Sequence, residues 1–349
     1  MFMNRLRGLL AMAQLVMLAA AGSASAATGK VYVADEGANT VSVIDAASFK
    51  KVGSIPVGQG PHNVQVSPDG KWVWVTNNGE PTKAAEAMPA GKMPKSEHAA
   101  MAGAGAVWVI DTANGTVTAK VPVGMHPAHV VVAPDGRTAY VTNGGDNTVS
   151  VVDTAAQRVI GLIQVGTSPH GLRISPDGKQ VWVANLKGGT VSVIDTDSRK
   201  QVARISAGKG PAQVGFTPDG RFGFVSLSEA NSVAVIDPAS HKVIRKIAVG
   251  TVPIQLFATP DSKLLLVANQ GTPKKPGTTV SVIDLASMKV AATITTGAGA
   301  HGVVISRDGG QAFVSNTYAD TVSVIDIAER KVVATVPVGK GPNGISMLP

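Results

Sequence analysis

Histidines recur in one sequence context along this chain of 349 residues. His62 (GPHNV), His170 (SPHGL) and His301 (GAHGV) each stand at the start of a short run that reads as a β-strand. His126 and His129 lie together in a related context, MHPAHV. Neutral imidazole is the commonest transition-metal ligand, so His62, His129 and His170 are predicted to bind one copper or zinc ion if the fold brings them together. His126 and His301 would then be supporting or alternative ligands.

A second group of soft metal ligands lies within residues 79–104. This segment is rich in alanine, proline, glycine and lysine and has no strand pattern, so we expect a flexible loop. We expect it on the same face of the fold as the histidines, called the top face below. It contains Met88, Met93, His98 and Met101. Thioether and imidazole groups suit Cu(I). The loop is therefore predicted either to contribute ligands over the histidines or to be a tolerated surface insertion.

Seven copies of one strand-like phrase supply the framework that must position these residues. Each copy is a run of β-favouring residues that ends in Ile-Asp or Val-Asp. The copies lie at residues 41–45, 107–111, 149–153, 191–195, 233–237, 280–284 and 322–326. Four of the six steps between their aspartates are 42 residues, and the steps of 66 and 47 contain insertions. Such a period is typical of one four-stranded blade per repeat, so we predict an all-β fold, a seven-bladed β-propeller.

Turn signals divide each repeat into four strands. A Pro-Asp-Gly turn or a close variant separates the first strand from the second, and it recurs at Pro68, Pro134, Pro176, Pro218, Pro260 and Arg307. The patterned part of the chain begins with a second-type strand at Lys30 and ends with a first-type strand at residues 343–347. We therefore expect the C-terminal strand to become the innermost strand of the N-terminal blade and to close the ring.

The second strand of each repeat carries a further pattern, which one copy spells as Tyr-Val-Thr-Asn at residues 140–143. Related copies start at Val31, Val73, Ala139, Val181, Gly223, Leu265 and Ala312. These copies resemble the repeat of the YVTN β-propeller family, and the resemblance extends over essentially the whole chain after residue 26. It implies the propeller fold. It leaves function open, because related propellers include lactonases, a d1-haem-binding domain and subunits of periplasmic dehydrogenases.

Acidic residues are absent from the predicted innermost strands. Propeller ligands usually bind at the funnel mouth on the top face, where these strands begin. A paired-carboxylate hydrolase or a Ca²⁺- or Mg²⁺-dependent lactonase would need acids there. Most aspartates instead end the seven phrases or lie in the turns, where their side chains cap the backbone. We therefore expect no carboxylate at the funnel.

The N-terminus reads as a secretory signal, with Arg5 and Arg7 before a mainly apolar stretch and Ala24-Ser25-Ala26 as the cleavage site. Residues 1–26 are thus predicted to be removed, which leaves a single propeller domain over residues 27–349 that is periplasmic or secreted. The chain has no cysteine, which excludes disulfides, thiolate metal sites and C-x-x-C-H haem attachment. Loss of the signal lowers the formal net charge from +8 to +6.

Three functions are compatible with these features. The leading interpretation is a non-enzymatic, exported, monomeric propeller whose top face binds an unknown small ligand or protein partner, with copper or zinc as the favoured ligand. The first alternative is a lactonase- or lyase-like enzyme in which His62, His129 or His170 acts as the base. The second is binding of a polyanion such as nucleic acid by the basic surface. The histidines also have a purely structural interpretation, in which each hydrogen-bonds a neighbouring loop.

Signal cleavage can be tested by the intact mass of the chain recovered from an exporting host. We expect the mature chain to begin at Ala27, because small residues at Ala24 and Ala26 fit a signal-peptidase site. The Ala24→Asp/Ala26→Asp variant should keep its first 26 residues. A wild-type chain that retains Arg5 and Arg7 after export would contradict this prediction.

Overall fold

The computed structural model of the protein describes residues 29–79 and 105–347. These residues form seven antiparallel sheets of four strands each. The predicted all-β, seven-bladed propeller is therefore confirmed. Within the described part of the chain, no helix is long and apolar enough to cross a membrane.

The first blade contains β1 (Lys30–Asp35), β2 (Thr40–Asp45) and β3 (Lys50–Pro56). The second contains β4 (Pro61–Val66), β5 (Trp72–Asn77), β6 (Ala106–Asp111) and β7 (Thr116–Pro122). The third contains β8 (Pro127–Val132), β9 (Thr138–Asn143), β10 (Thr148–Asp153) and β11 (Arg158–Gln164). The fourth contains β12 (Pro169–Ile174), β13 (Gln180–Asn185), β14 (Thr190–Asp195) and β15 (Lys200–Ser206).

The fifth blade contains β16 (Pro211–Phe216), β17 (Gly223–Leu227), β18 (Ser232–Asp237) and β19 (Lys242–Ala248). The sixth contains β20 (Pro253–Ala258), β21 (Leu264–Thr272), β22 (Lys275–Asp284) and β23 (Lys289–Thr295). The seventh contains β24 (Ala300–Ile305), β25 (Gln311–Asn316), β26 (Thr321–Asp326) and β27 (Lys331–Pro337). The last strand, β28 (Pro342–Met347), joins the first blade.

The innermost strands are β4, β8, β12, β16, β20, β24 and β28, and each contacts the innermost strands of both neighbouring blades. They therefore surround a common axis, and the space between them is called the axial channel below. We call the face where these strands begin the top face. The face where they end, at the Pro-Asp-Gly turns, is the lower face.

The Pro-Asp-Gly turns are held by their own side chains, as the sequence predicts. In the fourth blade the Ser175 hydroxyl donates to Asp177 Oδ1 at 2.6 Å, and the same oxygen accepts the Lys179 backbone N–H at 3.1 Å. Gly178 follows with φ 76°, a conformation that costs glycine little. The local sequence thus reverses the chain and starts β13 on the lower face.

The hydrophobic core lies between blades. Trp182 of β13 is fully buried and packs in one cluster with Val214 and Val225 of the next blade. Trp74 of β5 likewise packs against Val130 of the following blade. Each blade therefore covers the apolar face of its neighbour, and its stability depends on both neighbours being present.

The ring closes through pairing of β1 with β28. Val31 lies opposite Met347, Tyr32 opposite Ser346 and Val33 opposite Ile345. The Ser346 hydroxyl also accepts the backbone N–H of Val66, which ties β28 to the second blade at 3.1 Å. The predicted closure by the C-terminal strand is therefore confirmed, and β1 has a partner strand on both sides.

Deletion of residues 343–349 tests this closure. We expect loss of cooperative unfolding, or aggregation, because β1 loses its partner strand and the core loses Ile345. Deleting one such buried side chain alone costs about 2–5 kcal/mol, against a total stability of about 5–15 kcal/mol for a domain. Circular dichroism melting and size-exclusion chromatography are the measurements. Deletion of residues 348–349, which follow β28, is the control, and unchanged melting of the longer truncation would show the closure to be dispensable.

Candidate metal centre

Three histidines from three successive blades meet at the top of the axial channel. His62 of β4, His129 of β8 and His170 of β12 each offer a ring nitrogen within 4.8 Å of the others. The Nε2 atoms of His62 and His170 are 3.2 Å apart. The ring of His129 lies 5.6 Å from that of His62 and 4.9 Å from that of His170, centroid to centroid. The structure thus brings together the three residues predicted from sequence; they are called the histidine cluster below.

The spacing of these nitrogens suits a single ion. Imidazole binds Zn²⁺ at about 2.0–2.1 Å, so two ligands of a tetrahedral site lie about 3.3 Å apart. The 3.2 Å between the two Nε2 atoms therefore matches a shared ion with little movement. Two facing imidazoles at this distance otherwise share one hydrogen bond, which is the competing structural role of these residues.

Hydrogen bonds fix which nitrogens of the cluster can act as ligands. His170 Nδ1 lies 2.9 Å from the carbonyl oxygen of Ala212. A carbonyl only accepts, so Nδ1 carries the proton and the lone pair of the neutral ring is on Nε2, inside the cluster. The Asn343 amide donates to His62 Nδ1 at 3.0 Å. His62 Nε2–H therefore donates to His170 Nε2, and a metal ion would replace that proton.

His129 is the most deeply buried member of the cluster. It has no exposed surface, and neither ring nitrogen has a hydrogen-bond partner. Burial, followed by repulsion from His170 and His62, holds its pKa well below the ordinary value of 6.5. His129 is therefore neutral, with an imidazole whose polar atoms are removed from water and uncompensated. Such a group costs about 1–3 kcal/mol, which a ligand can recover.

Threonine hydroxyls of the second strands hold the backbone that carries these histidines. The Thr142 hydroxyl of β9 accepts the His129 backbone N–H at 3.0 Å and donates to the His170 carbonyl at 2.6 Å. Thr76 of β5 makes the same pair of bonds to Asn63 and Ala128 at 3.0 and 2.8 Å. The threonine of the Tyr-Val-Thr-Asn pattern thus locks the start of its own innermost strand to that of the next blade.

His301 of β24 belongs to the border of the cluster. Its ring lies 6.2 Å from that of His62, it is buried, and its Nδ1 has no partner. Burial and repulsion from His62 lower its pKa to about 3.

His126 is separate from the cluster, on an exposed loop at φ 50°. Met88, Met93, His98 and Met101 lie outside the described residues.

Glu36 corrects the expectation that the funnel has no carboxylate. It follows β1 on a top-face loop, rather than lying on an innermost strand, and its Oε2 is 3.6 Å from His62 Nδ1. Burial alone would raise its pKa, but hydrogen bonds and charge from His62 and Asn343 outweigh this and lower it. The sequence does not reveal that Glu36 lies at the site, because only closure of the ring through β28 brings Glu36 beside Asn343.

An open cleft of about 600 Å³ adjoins the cluster on the top face. Its lining includes His62, His126, Pro127, Gly145, His170 and Lys187. An ion held by the cluster would therefore be reached by a ligand from this side. We call this space the top-face cleft.

Comparison with known proteins supports a propeller relationship without assigning a family. Residues 99–225 match the cytochrome D1 heme domain family, and residues 272–349 match the YNCE-like β-propeller family. A 116-residue segment is 32% identical to Antigen Lp49 of Leptospira interrogans and covers 33% of this chain. That segment spans 23% of the length of the Leptospira protein. Membership of the YVTN family stays a prediction.

Solved structures with the same fold cover most of the chain. Hydrazine synthase of Kuenenia stuttgartiensis is 26% identical with a TM-score of 0.68, over 83% of this chain and 90% of that one. A functionally unknown protein of Desulfotomaculum acetoxidans DSM 771 has a TM-score of 0.74 at 18% identity, over 92% and 99% of the chains. The dihydro-heme d1 dehydrogenase NirN in complex with DHE has a TM-score of 0.64 at 18% identity, over 91% and 74%. The last two similarities show the fold alone.

Acid should destabilise the protein through its buried imidazoles. Burial, with repulsion from His62, lowers the pKa of His170 to about 4 and that of His301 to about 3. Above pH 6.5 both rings are neutral whether the chain is folded or not. As pH falls from 6.5 towards 4, the unfolded chain binds protons that the folded protein does not, so stability falls, by on the order of 3 kcal/mol for one such group.

Urea unfolding at about pH 7.5 and about pH 4.5 measures this loss, since these values lie on either side of the titration range. The His170→Asn/His301→Asn variant should lose less stability between the two pH values than wild type. His241→Asn, far from the axis, should behave as wild type. Equal pH dependence in the double variant and wild type would mean that these imidazoles do not control the acid response.

Proposed function

We propose that the protein binds one copper or zinc ion at the top of its axial channel, with His62, His129 and His170 as ligands. The observation that carries the proposal is His129, a buried imidazole with both ring nitrogens unpartnered beside two facing Nε2 atoms. In the same proposal the chain is an exported propeller of YVTN type, and its role is binding rather than turnover.

The chemistry of the site favours a late transition metal. Three neutral nitrogen ligands suit Cu or Zn better than Ca²⁺ or Mg²⁺, which require oxygen. The tie from His170 Nδ1 to the Ala212 carbonyl orients the ring in the way that metal-binding histidines are usually oriented. Once Nε2 holds the ion, the proton of the neutral His62 ring must lie on Nδ1, 3.6 Å from Glu36 Oε2, where the carboxylate stabilises it. Three protein ligands leave a further position, on the side of the top-face cleft, for a small ligand.

The proposal of binding without turnover rests on Glu36, the one acid that the described part of the chain places within 4 Å of a cluster histidine. Glu36 is already engaged by Asn343 and His62, so it has no free proton-transfer role in the arrangement described. Within the described residues of the cluster, burial lowers the pKa values of His129 and His170 and keeps these two rings neutral.

A tetrapyrrole is the second candidate ligand. It is supported by the match of residues 99–225 to the cytochrome D1 heme domain family and by the fold shared with a protein in complex with DHE. The top-face cleft has His126 exposed on its wall, available as an axial ligand. Titration with haemin tests this candidate, and His126→Ala should remove the spectral signature of histidine ligation. A haemin spectrum unchanged by His126→Ala would count against it.

Metal binding is tested by titrating Cu(I), Cu(II) and Zn(II) into the full chain. We expect micromolar or tighter binding at about pH 7.5 and weaker binding at about pH 5.5, because imidazole must lose its proton, with a reference pKa of about 6.5, to act as a ligand. The His62→Ala/His129→Ala/His170→Ala variant should lose the site while remaining folded by circular dichroism.

His241→Ala is the matched control, since it removes an imidazole that lies outside the cluster. Its metal affinity should equal that of wild type. Equal metal affinity of wild type and the triple variant would show that the metal binds elsewhere in the chain. No binding by wild type would return the histidine cluster to a structural role.

A further inference from the structure

Arg173 is a charged side chain in the axial channel without a charged partner. It lies on β12, three residues after His170 and nearer the lower face, and it is partly buried. Its Nη1 donates a hydrogen bond to the carbonyl of Leu172 at 3.5 Å, the outer limit for such a contact. Among the described residues, no carboxylate lies within ion-pair distance of it.

An arginine in this position remains a cation. Burial lowers its pKa to about 10, which still leaves the guanidinium protonated at neutral pH. A guanidinium has five N–H donors in a planar fork, and here all but one lack a protein acceptor. A cation withdrawn from water without a counter-charge is unfavourable, so an anion that can reach it gains a strong, charge-assisted interaction.

A cavity of about 350 Å³ gives an anion access to Arg173. Its walls are mostly apolar: Ile174, Phe216, Leu256, Phe257 and Ala258, with Gly215 between them. Pro176 and Pro218, from two Pro-Asp-Gly turns, form its rim on the lower face. Arg173 is the only ionisable residue among its lining residues in the described part of the chain. We call this space the lower axial cavity.

We propose that the lower axial cavity binds a small carboxylate that has an apolar body, with the carboxylate on the Arg173 guanidinium and the body against Phe216, Leu256 and Phe257. Arginine pairs with carboxylates through two parallel hydrogen bonds, which fits the fork that Arg173 leaves free. The one other polar side chain in the lining is Thr217, whose hydroxyl is already bonded to the backbone of Phe222. A compact ligand with one charged end is therefore favoured over a polyanion. This proposal does not rest on the metal proposed at the other end of the channel.

Calorimetric titration of the full chain with benzoate tests the proposal. Benzamide has nearly the same shape without the charge, and inorganic phosphate has charge without an apolar body. We expect benzoate to bind at least about tenfold more tightly than either, the lower end of what a hydrogen bond to a charged group contributes. Arg173→Met should lose benzoate binding, whereas Arg204→Met, on the exposed outer strand β15, should keep it.

Thermal melting of the same proteins gives a readout that does not depend on heat of binding. Without added anion, Arg173→Met should melt no lower than wild type, because it removes a partly buried charge that has no charged partner. Benzoate should raise the melting temperature of wild type and of Arg204→Met only. Equal benzoate binding by Arg173→Met, or none by wild type, overturns the proposal. An Arg173→Met protein that melts far below wild type would show that the arginine already has a stabilising partner, which also overturns it.

Discussion

The close approach of seven innermost strands to one axis is the constraint on which the rest of the molecule depends. A Cβ atom at Gly171 would lie 1.9 Å from Gln213 Oε1, and one at Gly344 would lie 2.6 Å from the Asn63 Cα. Neither position tolerates a side chain, so glycine there lets neighbouring strands meet. The same crowding brings side chains from blades far apart in sequence to within hydrogen-bonding distance, as with His62 and His170.

Crowding around the axis also removes water, and this sets the electrostatics of both ends of the channel. At the top, burial keeps the imidazoles of His129 and His170 neutral and leaves lone pairs that a cation would satisfy. Lower down, Arg173 keeps its charge and lacks an anion. A low dielectric constant in the channel strengthens both the attraction of the imidazole lone pairs for a cation and the attraction of Arg173 for an anion. The uncompensated groups persist because the interblade core and the closed ring hold the strands in place, independently of what the axis contains.

Most of the fold could be predicted because each repeat carries its own strand and turn signals. The repeat also located His62 and His170, at equivalent positions, and His129, one residue later in its own repeat, since the first strands of successive repeats must converge on the axis of a propeller. Glu36 could not be found in this way. Its partner Asn343 is at the other end of the chain, and only the register of β28 against β1 brings them together.

The role of Arg173 is not evident from the sequence for a related reason. A lone arginine in a strand is usually a solvated residue. Nothing in the local pattern of β12 shows that Arg173 shares a cavity with Gly215 and Phe216 of β16 and with Leu256 and Phe257 of β20. Which polar groups lack partners depends on contacts between blades. A repeat pattern gives the position of such a group, whereas its surroundings come from the differences between repeats.

Closure through β28 has a consequence for biosynthesis. The ribosome makes β1 before β28, so the first blade stays incomplete until all the intervening strands have been made. Glu36 and His62 can form their hydrogen bonds with Asn343 only after β28, which carries Asn343, has been made. The top of the channel is therefore finished in the last step of folding, and a nascent chain cannot acquire a ligand there that needs all of these groups.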